Sequence, residues 1–117
     1  MTYVDGFVAA VPIENRDAYI KHAKIAAEVF KENGALSVVE CWEDEVPDGK
    51  VTSFPMAVKR KEGEAIVFAW IVWPSREAEQ NGMKVAMEDP RLQSDKNPMP
   101  FDGQRMIYGG FTTVLEV

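Results

Sequence analysis

The chain contains few of the residues on which metal, redox and nucleophilic chemistry depend. Its 117 residues include one cysteine, Cys41, and one histidine, His22. A single cysteine excludes an intramolecular disulfide and a cysteine-based metal cluster within one chain, and no His-x-x-x-His pair occurs. The sequence therefore predicts no metal and no cofactor, and it favours a reducing cytoplasm as the location.

Basic residues are also scarce. Thirteen Lys and Arg oppose 19 acids, giving a formal net charge of −6 at pH 7. Nucleic-acid binding normally needs a basic surface that neutralises phosphates. The one basic cluster, Lys59-Arg60-Lys61, is followed at once by Glu62 and Glu64. Nucleic acid is therefore not an expected partner.

Long hydrophobic runs are absent as well. The longest, residues 65–73, is far shorter than a membrane-spanning helix. The N-terminal segment lacks a basic region, and Asp5 interrupts its apolar residues, so it does not resemble a signal peptide. No Gly-rich phosphate loop or nucleophile elbow is present. We expect no membrane association.

What the chain does contain is the composition and patterning of one folded domain spanning residues 1–117. Apolar residues make up 46% and charged residues 27%, which are ordinary globular values. Periodicity and turn residues predict strands at 2–11, 35–43, 65–73 and 105–116, helices at 14–33 and 75–88, and a helical turn at 53–59. The order β-α-β-β-α-β is that of a ferredoxin-like α+β domain, with a four-stranded antiparallel sheet and both helices on one face.

The third predicted strand is apolar on both faces, because Ile66, Phe68 and Trp70 alternate with Val67 and Ile71. If one sheet face met water, this strand would alternate apolar and polar residues. A second copy covering that face would form a homodimeric α/β barrel with a cavity between or beside the sheets. Alternatively, the segment 45–60 folds back over it.

Two carboxylates interrupt otherwise apolar strands. A charge inside a strand destabilises the fold unless it is paired, hydrogen-bonded or hydrated. Alternation groups Asp5 with Tyr3 and Phe7 on the face away from the helices, and Glu40 with Trp42. Two interpretations stay open: a structural Arg–carboxylate pair, or a pocket with aromatic walls lined by Asp5, Glu40, Trp42, Trp70, Arg105 and Tyr108.

Glycines mark two further positions. Gly82 weakens the second predicted helix. Gly109-Gly110, in the last strand, predicts either a bulge or a close approach by another backbone.

Several motifs resemble those of the YbaA-like family of small bacterial proteins with a domain of unknown function. They include YVDGFV (3–8), GALSVVEC (34–41), VFAWIVWPSR (67–76) and MPFDGQRMIYGGF (99–111). The resemblance covers nearly the whole chain and implies membership of the dimeric α/β-barrel superfamily. That superfamily includes cofactor-free and haem-degrading monooxygenases and isomerase-like proteins, whose pockets use different residues, so no catalytic set carries over.

Three functional hypotheses follow. The first is a cytoplasmic homodimer that binds a small apolar or aromatic molecule through Phe7, Trp42, Trp70, Arg105 and Tyr108. The second is a monooxygenase- or isomerase-type enzyme in which Asp5, Glu40 or His22 accepts a proton, with Arg105 or Tyr108 orienting an anionic substrate. The third is a structural or regulatory dimer without a ligand. An open cavity of roughly 300 Å³ or more would favour the first two.

Overall fold

The computed structural model of the protein describes all residues, 1–117, as an α+β fold. Its strands are β1 (Tyr3–Pro12), β2 (Ser37–Trp42), β3 (Glu64–Trp73) and β4 (Ile107–Thr112). Its helices are α1 (Arg16–Glu32), α2 (Phe54–Ala57) and α3 (Arg76–Glu88). None of these helices is both long and apolar enough to cross a membrane.

The four strands form one sheet in the order β2-β3-β1-β4, and each neighbouring pair is antiparallel. The predicted four-stranded antiparallel sheet is therefore confirmed. β4 begins later than predicted, because Gly103–Arg105 form a single turn of 3-10 helix before it. The central strands β1 and β3 pair over ten residues and carry most of the core.

Serine side chains cap the starts of α2 and α3. The side chain of Ser53 accepts a hydrogen bond from the Met56 N–H at 3.1 Å, and Ser75 accepts one from the Ala78 N–H at 3.0 Å. Each bond satisfies an N–H that has no partner inside the helix. Capping thus fixes where the chain turns from strand or loop into helix.

Both long helices cover one face of the sheet. Ala9 and Val11 of β1 pack against Tyr19 and Ala23 of α1. Asp5 has the same parity as Ala9, so it also faces the helices. Its predicted position on the opposite face is wrong. The physical reason is that both parities of β1 are largely apolar, so alternation groups its residues correctly without showing which group the helices cover.

The opposite face is covered only in part. Val46 and Val58, from the connection between β2 and β3, pack on Val8, Ala10 and Ile66. To that extent the segment 45–60 does fold back over the sheet. The rest of this face stays open, with Phe68 45%, Ile107 44% and Phe111 62% exposed. We call it the open face, defined by Phe68, Trp70, Ile107 and Phe111.

The glycines are explained by aromatic rings that lie against them. A Cβ atom on Gly82 of α3 would collide with the Trp73 ring and with the Asn33 carbonyl oxygen. In β4, one on Gly109 would lie 3.3 Å from the Phe111 ring, and one on Gly110 would collide with the Tyr3 side chain. The β1–β4 register runs through both glycines without a bulge. The close approach there is therefore made by side chains rather than by another backbone.

Candidate functional site

A hydrogen bond between a tyrosine and a carboxylate lies on the helix-covered face, near the end of β2. The hydroxyl of Tyr19 donates to Glu40 Oε1 at 2.6 Å. The Tyr19 ring lies 6.3 Å from the Trp42 ring and 5.6 Å from that of Phe101, measured between centroids. The Arg16 guanidinium lies 5.6 Å from the Trp42 ring centroid, within cation–π range. We call Tyr19, Glu40, Trp42 and Phe101 the tyrosine–glutamate cluster.

Desolvation dominates the electrostatics of this cluster. It raises the pKa of Glu40 above its ordinary value, although the hydrogen bond from Tyr19 acts in the opposite direction. The pKa of Tyr19 is raised strongly, by burial first and then by the charge of Glu40 and the bond to it. At neutral pH the tyrosine therefore keeps its proton. Its hydroxyl is a donor, and Glu40 is the group able to accept a proton.

The segment before β4 packs against the first turns of α1 and contributes Phe101 to the cluster. The Asn15 side chain donates to the Pro100 carbonyl at 2.9 Å. His22 Nδ1 and Asn97 Oδ1 are 3.0 Å apart. The His22 ring meets Phe101 nearly edge-on at 6.4 Å. His22 therefore contacts this segment and is not bonded to Glu40.

Asp5 belongs to a second polar cluster, beneath α3. It is only 7% exposed, and its Oδ2 accepts a hydrogen bond of 3.0 Å from the Trp73 indole N–H. The carboxyl group of Glu79, from the first turns of α3, interacts with that of Asp5. Desolvation, followed by the bond to Asp5 and its charge, raises the pKa of Glu79 to about 7.

Arg105 is held by an ion pair at the start of β3. Its Nη1 and Nη2 atoms donate to the two oxygens of Glu64 at 2.8 and 2.7 Å, and its Nε donates to Asp102 at 3.0 Å. Nη1 also donates to the Lys59 carbonyl. The bond to Arg105 is the main reason why the pKa of Glu64 is lowered to about 2. The guanidinium fork is thus engaged by groups other than Asp5 and Glu40.

The open face carries a row of aromatic rings beside a groove. The centroids of Phe54 and Phe68 are 5.8 Å apart, and those of Phe68 and Trp70 are 5.6 Å apart. At one end of the row lies an open groove of about 350 Å³. Its lining is Cys41, Trp42, Glu43, Asp44, Glu45, Val46, Phe54, Ile66 and Phe68. The floor is mainly apolar and the rim is acidic.

The predicted site residues are distributed over several places. Glu40, Trp42 and His22 lie around the tyrosine–glutamate cluster. Asp5 lies under α3, and Phe7, the next residue of the same parity, packs on the core around Ile71 and Trp73. Trp70 is on the open face, and Tyr108 is 76% exposed on β4. As substrate-binding or catalytic residues, all of these stay predictions.

Sequence reasoning missed the hydrogen-bonding partners of the strand carboxylates, which are Tyr19 for Glu40 and Trp73 for Asp5. Tyr19 lies on the apolar stripe of an amphipathic helix and Trp73 ends an apolar strand, so both are typical of a core. The available signal was the carboxylates themselves, because Asp5 and Glu40 in apolar strands require hydrogen-bonding partners.

The fold and these clusters define a small α+β protein with an antiparallel sheet, the buried Asp5 and the exposed Glu40 on one face, and exposed aromatic rings on the other. Residues 2–103 match the family described as a protein of unknown function, DUF1428. The chain is 54% identical over 116 residues to the uncharacterized protein YbaA of Escherichia coli strain K12 and, equally, to that of Shigella flexneri, with 99% of each chain covered. The chain belongs to this family, and the resemblance drawn from its motifs is confirmed.

Proposed function

We propose that the protein is a cytoplasmic homodimer of ferredoxin-like subunits, a dimeric α/β barrel that binds a small apolar or aromatic molecule. The observation that carries this proposal is the open face. Phe68, Trp70, Ile107 and Phe111 form a continuous apolar surface of the kind that marks an interaction site in soluble proteins.

The apolar character of the open face supports a second copy as its cover. Strands about 4.8 Å apart, with a rise of about 3.3 Å per residue, give a sheet of two ten-residue and two six-residue strands a face of roughly 500 Å², and the segment 45–60 covers part of it. Stable complexes bury about 600 to 1,000 Å² per partner. The exposed side chains of Phe54 and Met56, on α2 beside the sheet, extend the apolar area. A twofold contact would pair this surface with itself.

The ligand class follows from the groove next to the aromatic row. A volume of about 350 Å³ is at the lower end of the range typical of small-molecule sites. Phe54 and Phe68 supply ring faces and edges for stacking. In a face-to-face dimer the partner sheet would narrow this open groove and exclude water from it. Such a groove favours an apolar or aromatic molecule, because a polar one would lose its hydrogen bonds to water there.

The dimer is tested with two aromatic residues of β4 that lie on opposite faces. Phe111→Ser removes an apolar ring from the open face, and Tyr108→Ser removes one from the other face. Light scattering should give a dimer for the parent protein and for Tyr108→Ser, and a monomer or a much weaker dimer for Phe111→Ser. A parent protein that is monomeric at micromolar concentration contradicts the dimer.

Ligand binding is tested separately, by a thermal-shift screen of aromatic and apolar compounds. A compound present at about 100 times its dissociation constant adds about 2.7 kcal/mol to stability. Phe68→Ala should remove the shift if the compound binds beside the aromatic row. A dimer for which no compound in the screen raises the melting temperature would favour the structural role over the binding role.

The second candidate function is cofactor-independent proton transfer, as in an isomerase- or monooxygenase-type enzyme. The tyrosine–glutamate cluster favours it, because Glu40 has a raised pKa and an aromatic environment beside a tyrosine that donates a hydrogen bond. Glu40→Gln keeps the shape of the side chain and removes the base. With a substrate identified, this variant should lose turnover and keep the oligomeric state, and full activity would exclude Glu40 as the base.

A further inference from the structure

We propose that Arg16 adds an anion-binding group to the tyrosine–glutamate cluster, and that the resulting surface site binds small aromatic carboxylates. The site deepens the second candidate function, because it gives that function a substrate class. It rests on that function only for its reaction, since binding can be measured without turnover.

Arg16 lies next to the cluster because of the spacing of residues on α1 and β2. On α1 it precedes Tyr19 by three residues, so the two side chains are neighbours on the helix surface. On β2, Glu40 and Trp42 are two residues apart and share a face of the sheet. The Trp42 ring centroid is 5.6 Å from the Arg16 guanidinium carbon and 6.3 Å from the Tyr19 ring centroid. Cation, indole, phenol and carboxylate are therefore grouped at one place.

The Arg16 guanidinium is positioned without being neutralised. Arg60, Arg91 and Arg105 each form ion pairs with two carboxylates. Arg16 is exposed and forms neither an ion pair nor a side-chain hydrogen bond, although the chain has 19 acids and only 13 bases. A guanidinium that lies over an indole ring keeps the N–H groups at its edge free to donate. A ligand can therefore bind there without displacing a partner.

The free groups of the site select the ligand class. The guanidinium fork matches the two oxygens of a carboxylate, and the half-buried indole of Trp42 offers an apolar surface to an aromatic ring. The charge of Glu40 repels the carboxylate end of such a ligand. The anionic group is therefore directed to Arg16 and the uncharged part toward Glu40, which is the group able to accept a proton.

Arg16 thus takes the orienting role that the sequence suggested for Arg105. The side chain of Arg105 is only 14% exposed and is bonded to Glu64 and Asp102. The site is also compatible with the proposed dimer. Trp42 packs on the helix-covered face, so a second copy on the open face would leave Arg16 accessible.

The first test is an ¹H–¹⁵N NMR titration of the full chain with 2-naphthoate, with the uncharged 2-naphthamide as the control compound. Naphthoate should shift the backbone amides of Arg16 and Tyr19, and those of Phe54 and Phe68 report on the groove of the open face. Naphthamide should bind about tenfold more weakly or less, because it lacks the bond between opposite charges. Added salt should weaken the binding of naphthoate only.

The second test compares three variants in the same titration. Arg16→Gln should raise the dissociation constant of naphthoate about tenfold or more. Arg76→Gln is the matched control, because Arg76 is also exposed, forms no ion pair and lies over no aromatic ring; it should leave the constant unchanged. Glu40→Gln should lower the constant, since it removes a nearby negative charge.

Equal dissociation constants for the parent and Arg16→Gln would overturn the proposal. So would shifts confined to Phe54 and Phe68, or a parent protein that does not bind naphthoate at millimolar concentration. The proton-transfer function fails separately. If naphthoate binds through Arg16 but Glu40→Gln keeps full turnover of an identified substrate, the carboxylate site stands and the role of Glu40 as base is excluded.

Discussion

Tyr19 of α1 and Glu40 of β2 are joined by a hydrogen bond of 2.6 Å across the helix–sheet boundary. The bond places a proton donor that stays protonated next to a carboxylate that is partly withdrawn from water. It also ties the edge strand β2 to the first helix, so its removal should have one structural and one electrostatic effect.

Tyr19→Phe should destabilise the protein by about 1 kcal/mol, the usual net contribution of one hydrogen bond. It should also raise the pKa of Glu40 further, because the bond from Tyr19 is the influence that lowers it. Urea unfolding and carboxyl ¹³C titration measure the two effects. A Glu40 pKa that falls in Tyr19→Phe would contradict this account of the cluster.

Gly82→Ala should destabilise the protein, although alanine is the better helix former. Helix propensity alone predicts a gain of about 1 kcal/mol, but the added methyl group meets the Trp73 ring and the Asn33 carbonyl. Overpacking of this kind typically costs about 1 to 3 kcal/mol. Asn81→Ala, at the exposed neighbouring position, is the control and should be neutral or slightly stabilising. Chemical denaturation of both variants decides whether contact or propensity dominates.

Arg105→Gln should remove an acid-sensitive part of the stability. The pKa of Glu64 is lowered to about 2 from an ordinary 4.5, so its contribution is fully present above 4.5 and is lost as pH falls toward 2. The parent protein should therefore lose more stability than Arg105→Gln over that range. Circular dichroism during acid titration provides the measurement. Equal acid sensitivity in the two proteins would show that the ion pair contributes nothing.

Arg105→Lys separates charge from geometry at the same position. The guanidinium reaches both Glu64 oxygens at 2.8 and 2.7 Å, which the single ammonium group of lysine cannot reproduce. We expect acid sensitivity between those of the parent protein and Arg105→Gln. A lysine variant indistinguishable from the parent would mean that charge alone is sufficient.

The order and type of the elements were predictable from the sequence because hydrophobic periodicity agreed with the positions of prolines and helix caps. Pro12 closes β1, Ser75 caps α3, and strand three is apolar throughout. The helix-covered side of β1 was not predictable, since Val8 and Ala10 are as apolar as Ala9 and Val11. Tertiary packing alone decides between such equal faces.

The candidate site was predictable only in its strand residues. Asp5 and Glu40 stood out because each interrupts an apolar strand, and each does have a polar partner. Glu40 bonds to Tyr19 of α1 and Asp5 bonds to Trp73 of β3. The orientation of the helices over the sheet depends on contacts distant in sequence, such as Gly82 against Trp73. Arg105 looked available for a strand carboxylate, but it pairs with Glu64, which is 41 residues away in the chain.

The three tryptophans occupy three environments. Trp73 is fully buried and donates its indole N–H to Asp5, whereas Trp42 and Trp70 are partly exposed on opposite faces of the sheet. With Trp42 and Trp70 replaced by phenylalanine, the emission of the protein would come from Trp73 alone. The fluorescence of Trp73 would thus report on the contact between sheet and helix. Its emission would shift to the red if water reached the indole, and a stopped-flow pH jump could follow that change in time.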